Sequence, residues 1–180
     1  TCALPIYDAD DQIVMPNIVM QDFGLRFLLT LPSRQIKFKL FDIMGNGRNF
    51  QTLVGLHQSI ITNDVIDNSQ EIRDYLQELR QHEGHLTMNV LKGKTSLEEY
   101  NRAYPEQAIP YHFLFIANFP AGFTEDTITT LRNIIQHGRA SGIYVLMTTT
   151  SKTEELSSSV QRIAEEILTQ YAADVFDWSS

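Results

Sequence analysis

The apolar positions of this chain fall into helical stripes and short continuous runs that alternate along its length. Pro16 suits the first position of a helix, and Val19, Phe23, Phe27 and Leu28 follow at helical spacing until Leu31-Pro32-Ser33 stops them. Ile36 to Ile43 alternates and then becomes apolar, predicting a strand that Gly45-Asn46-Gly47 breaks. Asn49 to His57 reads as a short helix with Phe50, Leu53 and Leu56 inward, and Ser59 to Thr62 as a short strand. A long helix then starts at a capping pair, Asn68 and Glu71, and continues through Ile72, Tyr75, Leu76, Leu79, Leu86 and Val90. Gly84 weakens its middle by about 1 kcal/mol relative to alanine. Lys92-Gly93-Lys94 is a break, and Thr95 with Glu98 predicts a second capping box before a short helix ending near Tyr104-Pro105.

The most apolar part comes next. Tyr111 to Asn118 lies between Pro110 and Pro120 and is rich in aromatics, as a buried central strand would be. Thr124 caps a helix whose first turn carries Glu125 and Asp126, where the helix dipole favours acids. Ile128, Leu131, Ile134 and Ile135 form its inner face, and Gly138 is the expected C-terminal glycine. Ile143 to Met147 is the last strand, running into Thr148-Thr149-Thr150. A polar stretch from Ser151 to Ser159 leads to an amphipathic helix through Val160, Ile163, Ala164, Ile167, Leu168 and Tyr171. This order predicts a three-layer α/β domain with a mainly parallel sheet, and the Tyr111 and Ile143 strands as central neighbours. In such sheets ligands bind outside the C-terminal ends of the strands.

Composition narrows the classes. At 180 residues the chain is long enough for one well-buried core. Its formal charge of -8 argues against a surface devoted to nucleic acid, and Lys92-Gly93-Lys94 is too small for a DNA footprint by itself. Cys2 is the only cysteine, which excludes an internal disulfide framework and suits a cytoplasmic protein. No run of about 18 apolar residues predicts a membrane span, and no basic-then-apolar leader opens the chain. Thr1 to Ile6 reads as one frame of a widely used sequencing adapter, so residues 1–6 are expected to be a non-native start and the chain a fragment. The alternative is an ordinary strand from Cys2 to Tyr7.

Four stretches taken together resemble a known family. FDIMGNG (Phe41 to Gly47), EEYN (Glu98 to Asn101), HFLFIANF (His112 to Phe119) and GRASGIYVLMTTT (Gly138 to Thr150) follow the order of motifs in FtsK/SpoIIIE-type DNA translocase motor domains. The resemblance covers about residues 16 to 150, and its specific part is the Gly-Arg-Ala-x-Gly-Ile block. It implies a RecA-like P-loop ATPase fold over residues 7–150, with 151–180 a polar linker and a helix packing on the same domain. For intact members it implies ATP and Mg²⁺ as cofactors, other motor domains of a ring or tandem array as partners, and DNA as the translocated substrate.

The departures from that pattern bear on function. A P-loop needs glycines around the phosphates, a lysine, and a serine or threonine for Mg²⁺. By the resemblance it falls at Ala9 to Asn17, ADDQIVMPN, which has no glycine or lysine and two aspartates. The family's apolar strand ends in Asp-Glu, one ordering the Mg²⁺ shell and the other activating water; Ala117 and Asn118 occupy those positions here. Where the family has Ala-Thr-Gln, this chain has Thr148-Thr149-Thr150. No catalytic residue is therefore expected, and ATP with Mg²⁺ is expected to bind weakly or not at all. The residues expected to touch nucleotide or a neighbouring subunit are Arg139, Thr149, Thr150, Asn118 and Asp42. Three of them have a plainer reading. Arg139 would hydrogen-bond helical carbonyls, Asp42 would cap the Gly45 turn, and Asn118 would serve the turn at Pro120.

Other polar features predict little chemistry. His82 and His85 lie three apart on a helix without a third metal ligand and read as a solvated face. Glu98-Glu99 and Glu165-Glu166 read as exposed helix charges, and Ser157 to Ser159 carries no nucleophile motif. Two rival readings stay open: a piece of an active ATP-driven translocase of DNA or protein whose Walker A motif lies upstream, and a binding module on an α/β sheet with no link to nucleotide, using the Gly45-Asn46-Gly47 turn as its ligand edge.

Overall fold

A computed structural model describes residues 2–4, 15–31, 35–55, 65–91, 93–149 and 156–170. Four parallel strands form one sheet: β1 (Cys2–Leu4), β2 (Ile36–Phe41), β3 (Tyr111–Phe119) and β4 (Ile143–Thr149), in the order β1-β4-β3-β2. The two most apolar segments are the central pair, as their sequence predicts, with Phe113 opposite Tyr144 and Phe115 opposite Leu146. β2 pairs with β3 from Ile36–Tyr111 to Phe41–Ile116. Cys2–Leu4 pairs with β4, with Cys2 opposite Leu146. Beyond β2, a bridge joins Phe41 to Ile66; the strand expected at Ser59 to Thr62 lies outside the described residues, as do Leu56, Thr150 and Tyr171.

Side-chain alternation assigns each face of the sheet to different helices. Leu114, Ile116, Val145 and Met147 point to one face. There they join α3 (Ser69–His85) through Ile72, Leu76 and Leu79, α5 (Glu125–His137) through Ile128, Leu131 and Ile134, and α6 (Ser158–Gln170) through Val160, Ile163 and Ile167. Phe38, Leu40, Phe113, Phe115 and Leu146 point to the other face, covered by α1 (Met15–Thr30) and the short α2 (Gln51–Val54). On α1 it is Met20 that is fully buried, while the expected stripe of Phe23, Phe27 and Leu28 is only partly covered.

Helix ends explain the differences from expectation. Asn68 caps α3 by accepting from the Glu71 N–H, and Thr124 and Thr127 close a reciprocal box at α5. The cap of α4 (Leu97–Ala103) is Ser96, one residue later than expected; it accepts from the Glu99 N–H, while Thr95 donates its N–H and hydroxyl to the Glu99 carboxylate. These bonds hold the Glu99 carboxyl below its usual range, so Glu99 is part of a cap rather than a free surface charge. Glu166 likewise ties α6 to Arg132 of α5 at 2.9 Å. α3 does not stop at its glycine but loosens into a π turn, Leu86–Val90, just after Gly84. Gly138 does not terminate α5 in a left-handed conformation. The chain winds on through a 3-10 turn, Gly138–Ser141, and reverses at Gly142 with φ 74°. A side chain there would overlap Leu97, so the glycine of the Gly-Arg-Ala-x-Gly block is a packing requirement at the start of β4.

Candidate functional site

At the C-terminal ends of the strands, polar side chains form one continuous relay. Asp42 follows β2 and is fully buried. Its Oδ1 accepts from the Gly45 N–H (2.9 Å) and from Asn49 Nδ2 (2.8 Å), and its Oδ2 from the Asn49 N–H (3.1 Å). Asn46 and Gly47, both at positive φ, turn the chain back so that Asn49 reaches it. Asn49 Oδ1 accepts from Asn17 Nδ2 at 2.8 Å. Asn17 Oδ1 accepts from the Thr148 hydroxyl at 2.9 Å, and that hydroxyl oxygen accepts from the Asn118 N–H at 3.1 Å. The relay therefore joins the end of β2, the first turn of α1, and the ends of β4 and β3. Asn17 and Thr148 are 3% and 1% exposed, so these bonds form away from water, where leaving a partner unmade is costly.

Ala117 and Asn118, expected at the acid positions, are placed by the same edge. Ala117 is buried on the α1 face with Leu146 and Phe115. Asn118 is half-buried, with φ 58°, where the pairing of β3 with β4 shifts register. Its backbone serves the turn: the N–H goes to Thr148 and the carbonyl accepts from the Ala121 N–H at 2.9 Å. Neither residue supplies a carboxylate, and both oxygens of Asp42 accept bonds from the chain. Among the described residues, the donor set at this edge does not fit a magnesium–nucleotide complex, because a divalent ion in such a site is held by free carboxylate, hydroxyl and phosphate oxygens. Thr149 ends β4 half-exposed opposite Phe119.

Arg139 stands apart from this group. It lies in the 3-10 turn before β4, at the edge where the strands begin, with an exposed side chain. The length of β4, at about 3.3 Å per residue, puts roughly 20 Å between it and the relay. Arg139 and Asn118 cannot meet the same small ligand within one chain. His137, not Arg139, contacts a helical carbonyl, that of Asn133 at 3.0 Å.

The same edge carries two concavities, of about 400 and 350 Å³, either side of the π turn. One is lined by Tyr100, Tyr104 and Lys94, the other by Arg80, Glu83 and His137. Burial raises the Glu83 carboxyl above its ordinary range. His82 is also here. It is not on a solvated face; its ring lies 5.0 Å from that of His112 on β3, and burial pushes the His112 imidazole down to about 4. Among the described residues no group of three or more histidine, cysteine or acidic side chains is arranged to hold a metal ion, and no helix is long and apolar enough to cross a membrane.

Sequence reasoning missed Asn17, Asn49, Thr148 and the His82–His112 contact. Thr148 left a signal: it is polar in an apolar strand and shares the face of Leu146. Asn17 left none, because its partners are distant in sequence, and Asn49 reaches Asp42 only through the turn between them.

No family model matches the sequence, and no curated protein matches it. Solved structures do. ATPases 2 and 3 of EssC from Geobacillus thermodenitrificans superpose with a TM-score of 0.68 at 18% identity, covering 91% of this chain and 30% of that one. The cytoplasmic domain of the Thermomonospora curvata type VII secretion ATPase EccC gives 0.65 at 18% identity, over 91% and 19%. The pCW3 conjugation coupling protein TcpA, in its monomer form with ATPγS, gives 0.57 at 15% identity, over 89% and 46%. The chain thus spans less than half the length of each of these. Identities this low establish fold: the chain has the RecA-like α/β fold of FtsK/SpoIIIE-type ATPase domains.

Proposed function

We propose that this chain is an FtsK/SpoIIIE-like motor domain that does not hydrolyse ATP and serves a structural or regulatory role beside other motor domains in a tandem or ring assembly. The observation that carries the reading is the strand-end relay. In a working P-loop ATPase this edge presents phosphate-binding N–H groups and acids for Mg²⁺ and water. Here Ala117 and Asn118 stand at the acid positions, and Asp42, Asn49, Asn17 and Thr148 bind one another. An alanine cannot order a cation's water shell, and an amide is not a useful general base. Bound ATP or Mg²⁺ would be weak or absent, and DNA would be reached only through the assembly.

The partner side of the proposal rests on Arg139. It is exposed at the edge opposite the relay, where it can meet a neighbouring domain but not its own strand-end site. EssC and EccC are structures with ATPases 2 and 3 in one chain, and EssC and EccC each have a cytoplasmic domain; a cytoplasmic place in such an array suits this chain. Calorimetry and a phosphate-release assay with ATP and Mg²⁺ test the reading. Millimolar binding or none, with no turnover, is expected. Turnover near about 1 per second, in the range of working enzymes, would overturn it.

A further inference from the structure

His82 and His112 meet between α3 and the start of β3. Their ring centroids are 5.0 Å apart, with the planes at 47°. His82 Nε2 is buried without a hydrogen-bond partner, the one side-chain atom so placed among the described residues. His112 pairs with Lys37 of β2 in the sheet register, and its backbone N–H donates to the Gly142 carbonyl at 2.9 Å. Of the charged groups that act on His82, Lys37 from β2 and His85 from α3 itself oppose a positive charge, and Glu78 of α3 favours one. On His112 the opposing groups are His82 and Lys37. A proton on either ring would sit in a half-buried space beside a lysine, and only at His82 does a glutamate offset it.

We propose that His82 and His112 form a proton-operated latch: as neutral rings they let the C-terminal half of α3 lie against β3, and protonation releases that half and the π turn after it. The released segment carries Leu79 and Leu86, both buried in the closed form, and Thr87, whose hydroxyl lies 3.3 Å from that of Ser141 in the turn bearing Arg139. Acidification would therefore alter the surface around Arg139. The latch stands whether or not that surface meets a partner.

The sign follows from linkage. Burial lowers both imidazoles in the closed form, His112 to about 4, against an ordinary value of 6.5. The open form takes up protons first. The closed state is fully favoured above about pH 6.5 and loses ground as pH falls toward about 4. Hydrogen exchange on the full chain, corrected for the intrinsic effect of pH, reads this directly. Between pH 7.5 and 5, protection of residues 79–91 is expected to fall about tenfold or more, while α5 keeps its protection. Histidine NMR should show His112 titrating well below 6.5. The variant H112F keeps a ring and removes the proton site, and H82L/H112F removes both. Each is expected to flatten the pH dependence, and the single variant suffices if the double one does not fold. A His112 titration near 6.5, unchanged protection in residues 79–91, or the same pH dependence in H112F would overturn the latch.

Discussion

The two edges of the sheet differ in a way that runs against the habit of the fold. Where the strands end, the usual place for chemistry in an open α/β sheet, side chains from the end of β2, the turn after it, α1 and β4 hydrogen-bond one another and the β3 backbone. Where the strands begin, the surface is irregular. It carries two concavities, a π turn, the exposed Met88 and the exposed Arg139. The contrast teaches that the strand-end edge of such a sheet can be held together by a carboxylate, amides and a hydroxyl that bond to one another. Such bonds hold the first turn of α1 onto the sheet without a ligand.

That contrast can be broken at the relay first. Asp42→Ala removes the acceptor of three bonds in a fully buried place and should cost about 4 kcal/mol, read as a lower urea midpoint; a loss under about 1 kcal/mol would mean the relay holds nothing. Gly142→Ala tests the opposite edge. It forces φ 74° on a residue with a Cβ that would overlap Leu97 and approach Tyr111 Cδ1 to 2.9 Å, so about 3 kcal/mol should be lost. Thr148→Val keeps the shape but leaves Asn17 Oδ1 and the Asn118 N–H unpaired. It should lower stability by about 2 kcal/mol, with no change in nucleotide binding if the edge is closed. A gain of ATP affinity in that variant would show instead that the relay competes with a ligand. Arg139→Ala sharpens the contrast from its other side. An exposed side chain without a structural bond should change stability by less than about 0.5 kcal/mol, while association with a partner motor domain, measured by sedimentation, weakens.

The elements were legible because they are written in local periods. The aromatic run from Tyr111 and the run from Ile143 announced buried neighbours, Asn68 announced a helix start through Glu71 three residues on, and Thr124 announced one through the acids that follow it. Caps shifted where two readings differed by one residue: Thr95 and Ser96 both suit a cap, and the Glu99 carboxylate settled which one is used by taking both donors of Thr95. The helix end at Gly138 was legible, since α5 stops at His137 with Gly138 as its cap; the left-handed reversal itself comes later, at Gly142, after a 3-10 turn that no local period announces. The half-burial of His82 was invisible for a related reason. On its own helix it looks solvated; only β2 and β3 bring Lys37 and His112 against it.

The sequence by itself determined the absences: no carboxylate at Ala117 or Asn118, no glycine-rich phosphate loop between Ala9 and Asn17, and the order of strands and helices that makes a parallel α/β sheet. An absent side chain needs no partner to be read. The tertiary structure alone decided what fills the gap and what faces whom. Asn17 and Thr148, 131 positions apart, meet because α1 packs across the end of β4. Arg139 and Thr149, ten positions apart, are separated because a strand is extended and carries them to opposite edges. Hydrophobic periodicity reports which face a residue takes within its element; hydrogen-bond partners depend on which elements become neighbours, and that is settled only when the sheet is assembled.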